Sequence, residues 1–519
     1  MQYLKKYYFL FLILTFATII LSINLNKPFY GHHDWNAAWY STFARNFVNY
    51  GFLTTKFGSV MSGGPTEPND FTYFTHYPPM LPVLIGISFK IFGVHEWSAR
   101  IIPLIFSLWT ITMVYILGLR FFGKQVAILA AAISGVLPIV IYFGKMPVQE
   151  VLTIAPVLLS VLFYFDFFKK PTTRNLFKLA ASLIFSHLIN WPGYYVTPLF
   201  FIHYILLAPT KNRLPRPKGQ GLLFLAQNSL HIRNKFSNFF AQNRLRTAII
   251  FPAISLCMFA LHALHLAILT GNPLGGGMID VLLFRLNLSE KPLDFTTFNF
   301  LKQQFFLIIA YFTKPIIFLS SITILWIISN VKKWKKSLQI QLFIILGVFG
   351  ILHNLIFRNM AFIHDYMIIY LWPFIALSSS FGLFQIVKKF KIKSQSMIAV
   401  FCLILFFMMF LQSRNFVSAL LGSSGFKDGY DLGILINEET NLYDKVLVLS
   451  PEFHRYFDVF VNYYAARNID FEIPSAEEIK NYNLIIAIPS RDTPQSIIDV
   501  LQKEYKATTI NQFIVYTTR

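Results

Sequence analysis

The chain has 519 residues, of which 55% are hydrophobic and only 13% charged, and its mean hydropathy is +0.54. Soluble domains carry about 25% charged residues, so there is too little polar surface here to cover a water-soluble body of this size. The formal net charge is +21, but no soluble segment interleaves basic and aromatic side chains as a nucleic-acid interface does, and no nucleic-acid partner is expected.

Apolar runs of spanning length recur along the chain and predict an all-α polytopic membrane protein. Spans are expected near 7–24, 98–120, 125–144, 150–168, 175–190, 193–208, 247–269, 304–330, 338–357, 365–387 and 396–412. The first run is long for the core of a signal peptide, and no small-x-small site follows it, so it reads as a retained helix. Cys257 and Cys402 both lie in apolar runs, which leaves no disulfide framework and no cysteine zinc site.

Lysine and arginine orient the spans. With the N-terminus inside, about half of the 45 basic residues fall in six inner segments, in keeping with the excess of positive charge in cytoplasmic loops. The richest is the loop 209–246. "PPMLPVLIGISFKIFG", residues 78–93, is apolar but short and interrupted by proline and glycine; counting it as a span would turn the later basic loops outward. It is therefore expected to lie at the outer interface.

This parity puts four connections on the outer side. They carry Asp34 in the first outer loop 25–97, Glu150 before the fourth span, "NWPGYY" at 190–195 and "RNMAFIHDY" at 358–366. Residues 1–412 thus read as a transmembrane domain. Beyond 413 the composition changes: "DKVLVLSP" and "NLIIAIP" read as strands, and "EFHRYFDVFVNYYAAR" and "TPQSIIDVLQKEY" as helices. Residues 413–519 are expected to form a small extracytoplasmic α/β domain.

Polar residues gathered at one membrane face suggest a site. Nucleotides are normally scarce outside the membrane, and the chain has neither a G-x-x-x-x-G-K-[ST] loop nor an Asp-x-Asp pair. A substrate carried by a lipid would meet the need. A transporter or lipid flippase is the alternative, but it predicts ionisable groups near mid-membrane and two related halves. A scaffold whose outer domain binds a partner is a third reading.

The motifs, in order, are "HHDWNAAWYSTFARNFVNYG", "FTHYPPMLPVLIGISFKIFGVHEWSARIIPLIFS", "YFGKMPVQE" and "HDYMIIYLWPFIAL". Together they resemble the GT-C class of polyprenyl-phosphate-sugar-dependent glycosyltransferases, in the protein mannosyltransferase and aminoarabinose transferase group. The likeness covers roughly residues 1–390. It implies a multi-helix GT-C core, a polyprenyl-phosphate-linked sugar donor, a lipid, glycan or protein acceptor, and inversion at the anomeric carbon.

Carried over position by position, the resemblance makes Asp34 the catalytic base and Glu150 the second acidic residue. A carboxylate within reach of a sugar hydroxyl can accept its proton during attack. Asp34 also reads as a helix N-cap, and Glu150 as an acidic residue favoured by the helix dipole. Lys145, Arg358, His364 and His76 are the candidates for the leaving phosphate, with snorkelling to headgroups as the other reading of the cations. Arg100 reads as a helix ion pair with Glu96.

The chain departs from the family after Asp34, where Trp35, Asn36 and Ala37 replace the usual acidic and basic residues, and at Tyr77, where a basic residue commonly precedes Pro-Pro. The adjacent His32 and His33 do not share a helix face, so no metal is expected, and no other cofactor is indicated. "NLS" at Asn287–Ser289 is a glycosylation sequon on the outer side.

Overall fold

The computed structural model describes residues 2–208, 244–289, 293–449, 451–475, 477–487 and 495–518. The basic loop 209–246 lies almost wholly outside them. An apolar chain in lipid has to satisfy its backbone polar groups internally, and helices do so within one segment. α1 (Gln2–Leu21) opens the bundle. α2 (Asp34–Tyr50) and α3 (Met80–Phe92) lie in the following connection, beside a short antiparallel ladder of β1 (Ser59–Val60) and β2 (Tyr73–Phe74). Next come α4 (Glu96–Phe121), α5 (Lys124–Val136), α6 (Pro138–Phe143), α7 (Gln149–Lys169), α8 (Thr173–Ile189) and α9 (Val196–Leu207). The second half holds α10 (Ile250–Thr270), α11 (Met278–Arg285), α12 (Thr297–Phe312), α13 (Lys314–Ser329), α14 (Leu338–Ile356), α15 (Arg358–Ile363), α16 (Trp372–Lys389) and α17 (Gln395–Gly422).

The chain is a multi-pass membrane protein. Among the described residues six helices are long and apolar enough to cross a membrane, or seven if one bent pair counts as a single span, and three shorter apolar helices accompany them. α7 and the stretch Asp365–Lys389 are the most enclosed. α10 and α17 turn Leu256, Leu403 and Phe407 outward, as a lipid-facing surface allows.

Two expected spans are broken. The run 304–330 is not one helix: α12 and α13 meet at 109°. Thr313 at the corner has φ +66°, and Pro315 follows in the first turn of α13. The run 125–144 divides at Leu137, whose backbone is extended, because the ring of Pro138 disfavours helical geometry in the residue before it. The segment 78–93 does form a short helix, α3, which packs on α2; a Cβ at Gly86 would stand 3.1 Å from Phe47 Cβ.

The last span is longer than expected. α17 continues past 412 to Gly422, so a boundary at 413 would cut a helix. Beyond it, α18 (Lys427–Glu439), α19 (Pro451–Ala465) and α20 (Gln495–Glu504) surround a five-stranded sheet of order β4-β3-β5-β7-β6. Here β3 is Lys445–Leu449, β4 Asn468–Asp470, β5 Leu484–Ala487, β6 Tyr505–Ile510 and β7 Phe513–Thr518. β3 runs parallel to β4 and β5, and β7 antiparallel to β5 and β6.

This α/β unit is tied to the first connection. The buried Arg45 of α2 donates to Tyr463 O at 2.6 Å, to Asn462 O at 3.2 Å and to Gly63 O at 2.6 Å. Tyr464 Oη donates to Glu96 at 2.9 Å and accepts from Phe29 N at 2.6 Å. One end of the bundle is therefore capped by α2, α3 and the α/β unit. The Arg120–Asp166 ion pair marks the opposite end.

Candidate active site

Three polar clusters lie at the capped end. The first surrounds Asp34. His33, not Asp34, is the N-cap of α2, with φ +59°. Asp34 Oδ2 accepts from Gly31 N at 2.8 Å, and Arg100 Nη2 stands 3.4 Å from Oδ1 and 3.5 Å from Oδ2. Arg100 thus turns to Asp34 and not to Glu96. It also donates to Leu25 O at 3.0 Å and to Lys27 O, and lies over the Phe29 ring at 4.7 Å. Lys27, Tyr142 and Lys145 join Asp34 and Arg100 around a narrow pocket. Lys145 donates to Ile23 O. Burial, together with the neighbouring Arg100, lowers its ammonium to about 8.

Gly31 holds this corner closed. A Cβ there would stand 2.9 Å from Asp34 Oδ2, 3.1 Å from Tyr142 Oη and 3.2 Å from Ser423 Oγ. Tyr142 Oη donates to His32 O at 2.7 Å, and Ser423 Oγ accepts from His32 N at 2.8 Å. Both partners are distant in sequence, so the loop before α2 is set by tertiary contacts.

The second cluster surrounds Glu150, which is buried in the first turn of α7. Asn190, Tyr40, Tyr366, Tyr370 and Arg285 stand around its carboxyl. Glu150 is not among the residues that line the Asp34 pocket. Asn36 joins the two clusters, since its Nδ2 donates to Tyr366 Oη at 3.1 Å.

Arg285 is the residue that sequence reading missed. It ends the short helix α11, is only 9% exposed, and has a buried Nε with no hydrogen-bond partner. No carboxylate pairs with it among the described residues. Its guanidinium lies over the Tyr77 ring at 4.5 Å. With His76 it forms the polar part of a cavity of about 390 Å³, otherwise lined by side chains such as Trp191, Tyr194, Phe259 and Leu282. Burial and Arg285 together lower the His76 imidazole, which favours its neutral form. A signal for Arg285 is present in the sequence: "VLLFRLNL" sets one cation in an apolar run, where a charge is costly without a purpose.

The other candidates for phosphate contact separate. His76 belongs with Arg285, and Lys145 belongs with Asp34. Arg358 lies against the Phe295 and Phe300 rings, which pack on each other, and donates to Thr297 Oγ1 at 2.9 Å. His364 belongs to the third cluster, with its ring 5.4 Å from that of His33. Burial, more than the nearby His33, pushes its imidazole down to about 3.

Residues 76–231 match the family model of dolichyl-phosphate-mannose-protein mannosyltransferases. Comparison with curated protein sequences gives no match. Among solved structures, ArnT from Cupriavidus metallidurans bound to undecaprenyl phosphate is similar, with a TM-score of 0.60 over 97% of both chains at 12% identity. Its apo form gives 0.58 over 97% of both chains at 13% identity. AglB from Archaeoglobus fulgidus, in complex with an inhibitory peptide and a dolichol-phosphate, gives 0.55 over 99% of this chain and 75% of that one at 14% identity. The chain has the GT-C fold. Within that fold, the match to the mannosyltransferase family model is confined to residues 76–231.

Proposed function

We propose that the chain is an integral-membrane glycosyltransferase. It takes a sugar from a polyprenyl-phosphate donor and places it on an acceptor, with inversion, at the non-cytoplasmic face. The observation that carries the reading is Arg285, a nine-tenths buried cation on an apolar cavity, with a free Nε and no carboxylate in ion-pair contact among the described residues. A buried charge without a partner costs several kcal/mol. A ligand that is anionic at one end and hydrocarbon at the other relieves that cost and fills the cavity. A polyprenyl phosphate has this form, and the ArnT and AglB structures that share the fold hold such lipids.

On this reading the donor phosphate rests against Arg285, beside His76 and Tyr77. The sugar points along the polar path of Glu150, Tyr366 and Asn36 toward Asp34. The acceptor hydroxyl attacks the anomeric carbon, and Asp34 takes its proton. The bond from that carbon to the phosphate oxygen breaks, and its electron pair leaves with the polyprenyl phosphate. Arg285 stabilises the charge that gathers there. Glu150 orients the acceptor, and one carboxylate acting in a single displacement gives inversion. The basic residues of the opposite end support an outward orientation of the capped end.

The test is release of polyprenyl phosphate from polyprenyl-phosphate sugars by the full-length protein in lipid nanodiscs, with envelope extract as acceptor. Asp34→Asn is expected to cost about 10²–10⁴-fold in turnover while donor binding is retained. Turnover at the wild-type rate in that variant overturns the role of Asp34.

A further inference from the structure

The third cluster is built from two adjacent histidines and a residue more than three hundred positions away. His32 Nε2 stands 2.9 Å from Asp365 Oδ2, and His33 Nε2 stands 3.0 Å from Asp365 Oδ1. Neighbouring residues on a helix would point about 100° apart. These two precede the helix, and His33 is left-handed at φ +59°. The chain turns sharply there, and the two rings end 4.2 Å apart with both Nε2 atoms on one carboxylate. The expectation that the pair cannot act together fails for that reason.

A carboxylate bridging two imidazoles is one account of these contacts, but it leaves an oxygen over. The contact of Asp365 Oδ1 with His33 lacks hydrogen-bond alignment, and Oδ1 is buried with no donor. Such an oxygen costs about 1–3 kcal/mol. A cation shared by Oδ1 and His33 Nε2 would satisfy both atoms at that distance. The ligand atoms all lie within 4.8 Å of one another. Ligands on tetrahedral zinc stand about 3.3 Å apart, given zinc–nitrogen bonds of about 2.0–2.1 Å. Seating the ion takes a few tenths of an ångström of opening at Asp365, and it takes the two imidazole nitrogens, which lie within 4.8 Å of each other, to that same spacing.

The surroundings are those of a supported ligand set. Tyr311, fully buried, donates its hydroxyl to Asp365 Oδ2 at 2.5 Å. The backbone of His32 is held at both its N–H and its carbonyl, by Ser423 and Tyr142. Outer partners that fix ligands in this way are the usual companions of a metal site. We propose that His32, His33 and Asp365 bind one divalent transition metal of the zinc type. Imidazole nitrogens select such an ion over magnesium or calcium, and three protein ligands leave a fourth position for water or an anion. The proposal does not depend on the transfer reaction, because metal binding is measured without a donor or an acceptor.

The experiment uses the full-length protein in detergent, purified through a tag without histidine, stripped with a chelator and dialysed against zinc. Metal content by mass spectrometry is expected near one zinc per chain. Asp365→Asn and His32→Gln should each lose it. Tyr311→Phe, which keeps all three ligands, should weaken zinc binding by about 10–100-fold. Cobalt added to the stripped wild type should give the visible absorption of a four-coordinate site, which answers the question even where a variant fails to fold. Wild type holding no more zinc than Asp365→Asn, together with an octahedral cobalt spectrum, would falsify the site and leave a plain ion-pair network.

Discussion

Arg285 rests on the face of Tyr77, 4.5 Å from the ring centre, and on no carboxylate. An aromatic face returns about 0.5–2 kcal/mol to a cation, less than the several kcal/mol of burying it. The imbalance gives a prediction with two opposite signs. Arg285→Met should lower affinity for polyprenyl phosphate by about 100-fold, the loss expected when a charged partner worth about 3 kcal/mol is removed. The same variant, free of ligand, should melt no lower than wild type, since a buried charge with no ion-pair contact has gone and Glu150, beside it, can take up a proton. Arg285→Lys should fall between, because it keeps the charge and loses the planar fork. Binding in nanodiscs and thermal melting in detergent check the pair; a lower melting point for Arg285→Met would mean that Arg285 has a structural partner instead.

Arg100 and Asp34 form a different kind of pair, both buried and both answered. Removing only the cation leaves the carboxylate in a pocket with Lys27 and Lys145, and leaves the carbonyls of Leu25 and Lys27 without their donor. Arg100→Ala should therefore destabilise the protein by about 3 kcal/mol, as breaking a buried pair does. Arg100→Lys should recover part of that stability and little of the turnover, since one ammonium cannot span the carboxylate and two carbonyls together. Denaturation midpoints compared with donor turnover separate the two effects.

These residues also show what a sequence read alone can hold. Hydropathy and basic loops, which follow simple physics, point to one face of the membrane, and the resemblance supplies Asp34, Glu150, Lys145, Arg358, His364 and His76 as its candidates. Their grouping was not visible. Arg100 looks like a partner for Glu96, four residues before it, yet it reaches back to Asp34, while Glu96 is taken by Tyr464 from the far end of the chain. Long side chains near helix starts have several partners in range, and only tertiary packing selects one. The bend at Thr313 hid for another reason: hydropathy runs straight through it, and the only local mark is Pro315, which helices accept in their first turn. Asp365, inside "HDYMIIYLWPFIAL", draws no notice because nothing in sequence brings it to His32 and His33.

Gly31 tests how closely the Asp34 corner is built. Its Cα faces Asp34, Tyr142 and Ser423 at distances that leave no room for a methyl group. Gly31→Ala should push the Asp34 carboxylate off the Gly31 N–H and loosen the Tyr142 and Ser423 contacts to His32. A misplacement of about 1 Å at a reacting group costs about 100-fold in rate, whereas overpacking at one position costs about 1–3 kcal/mol. The expected result is a folded protein with turnover down about 100-fold and donor affinity nearly unchanged. Loss of donor affinity in equal measure would mean that the corner belongs to the donor pocket.

Lys145 supplies a pH test with a definite sign. Burial and Arg100 bring its ammonium from 10.5 down to about 8. Between those values the unfolded chain holds a proton on Lys145 that the folded chain has lost. The unfolded state then binds more protons, so this residue makes stability rise with pH across that window. Below about 8 both states are charged, and the penalty of the buried ammonium is fully present. Lys145→Met removes the penalty at every pH, so the variant should melt above wild type at neutral pH and the two curves should converge toward pH 10.5. The size of the gap is on the order of 2–3 kcal/mol by the free energy of a pKa shift. Turnover should move the other way if the ammonium helps to hold the Asp34 carboxylate in place within their shared pocket: wild-type activity should decline as pH rises through about 8, and Lys145→Arg, which keeps its charge, should not show that decline. Parallel melting curves and parallel activity profiles for the three proteins would show that Lys145 carries no buried charge at all.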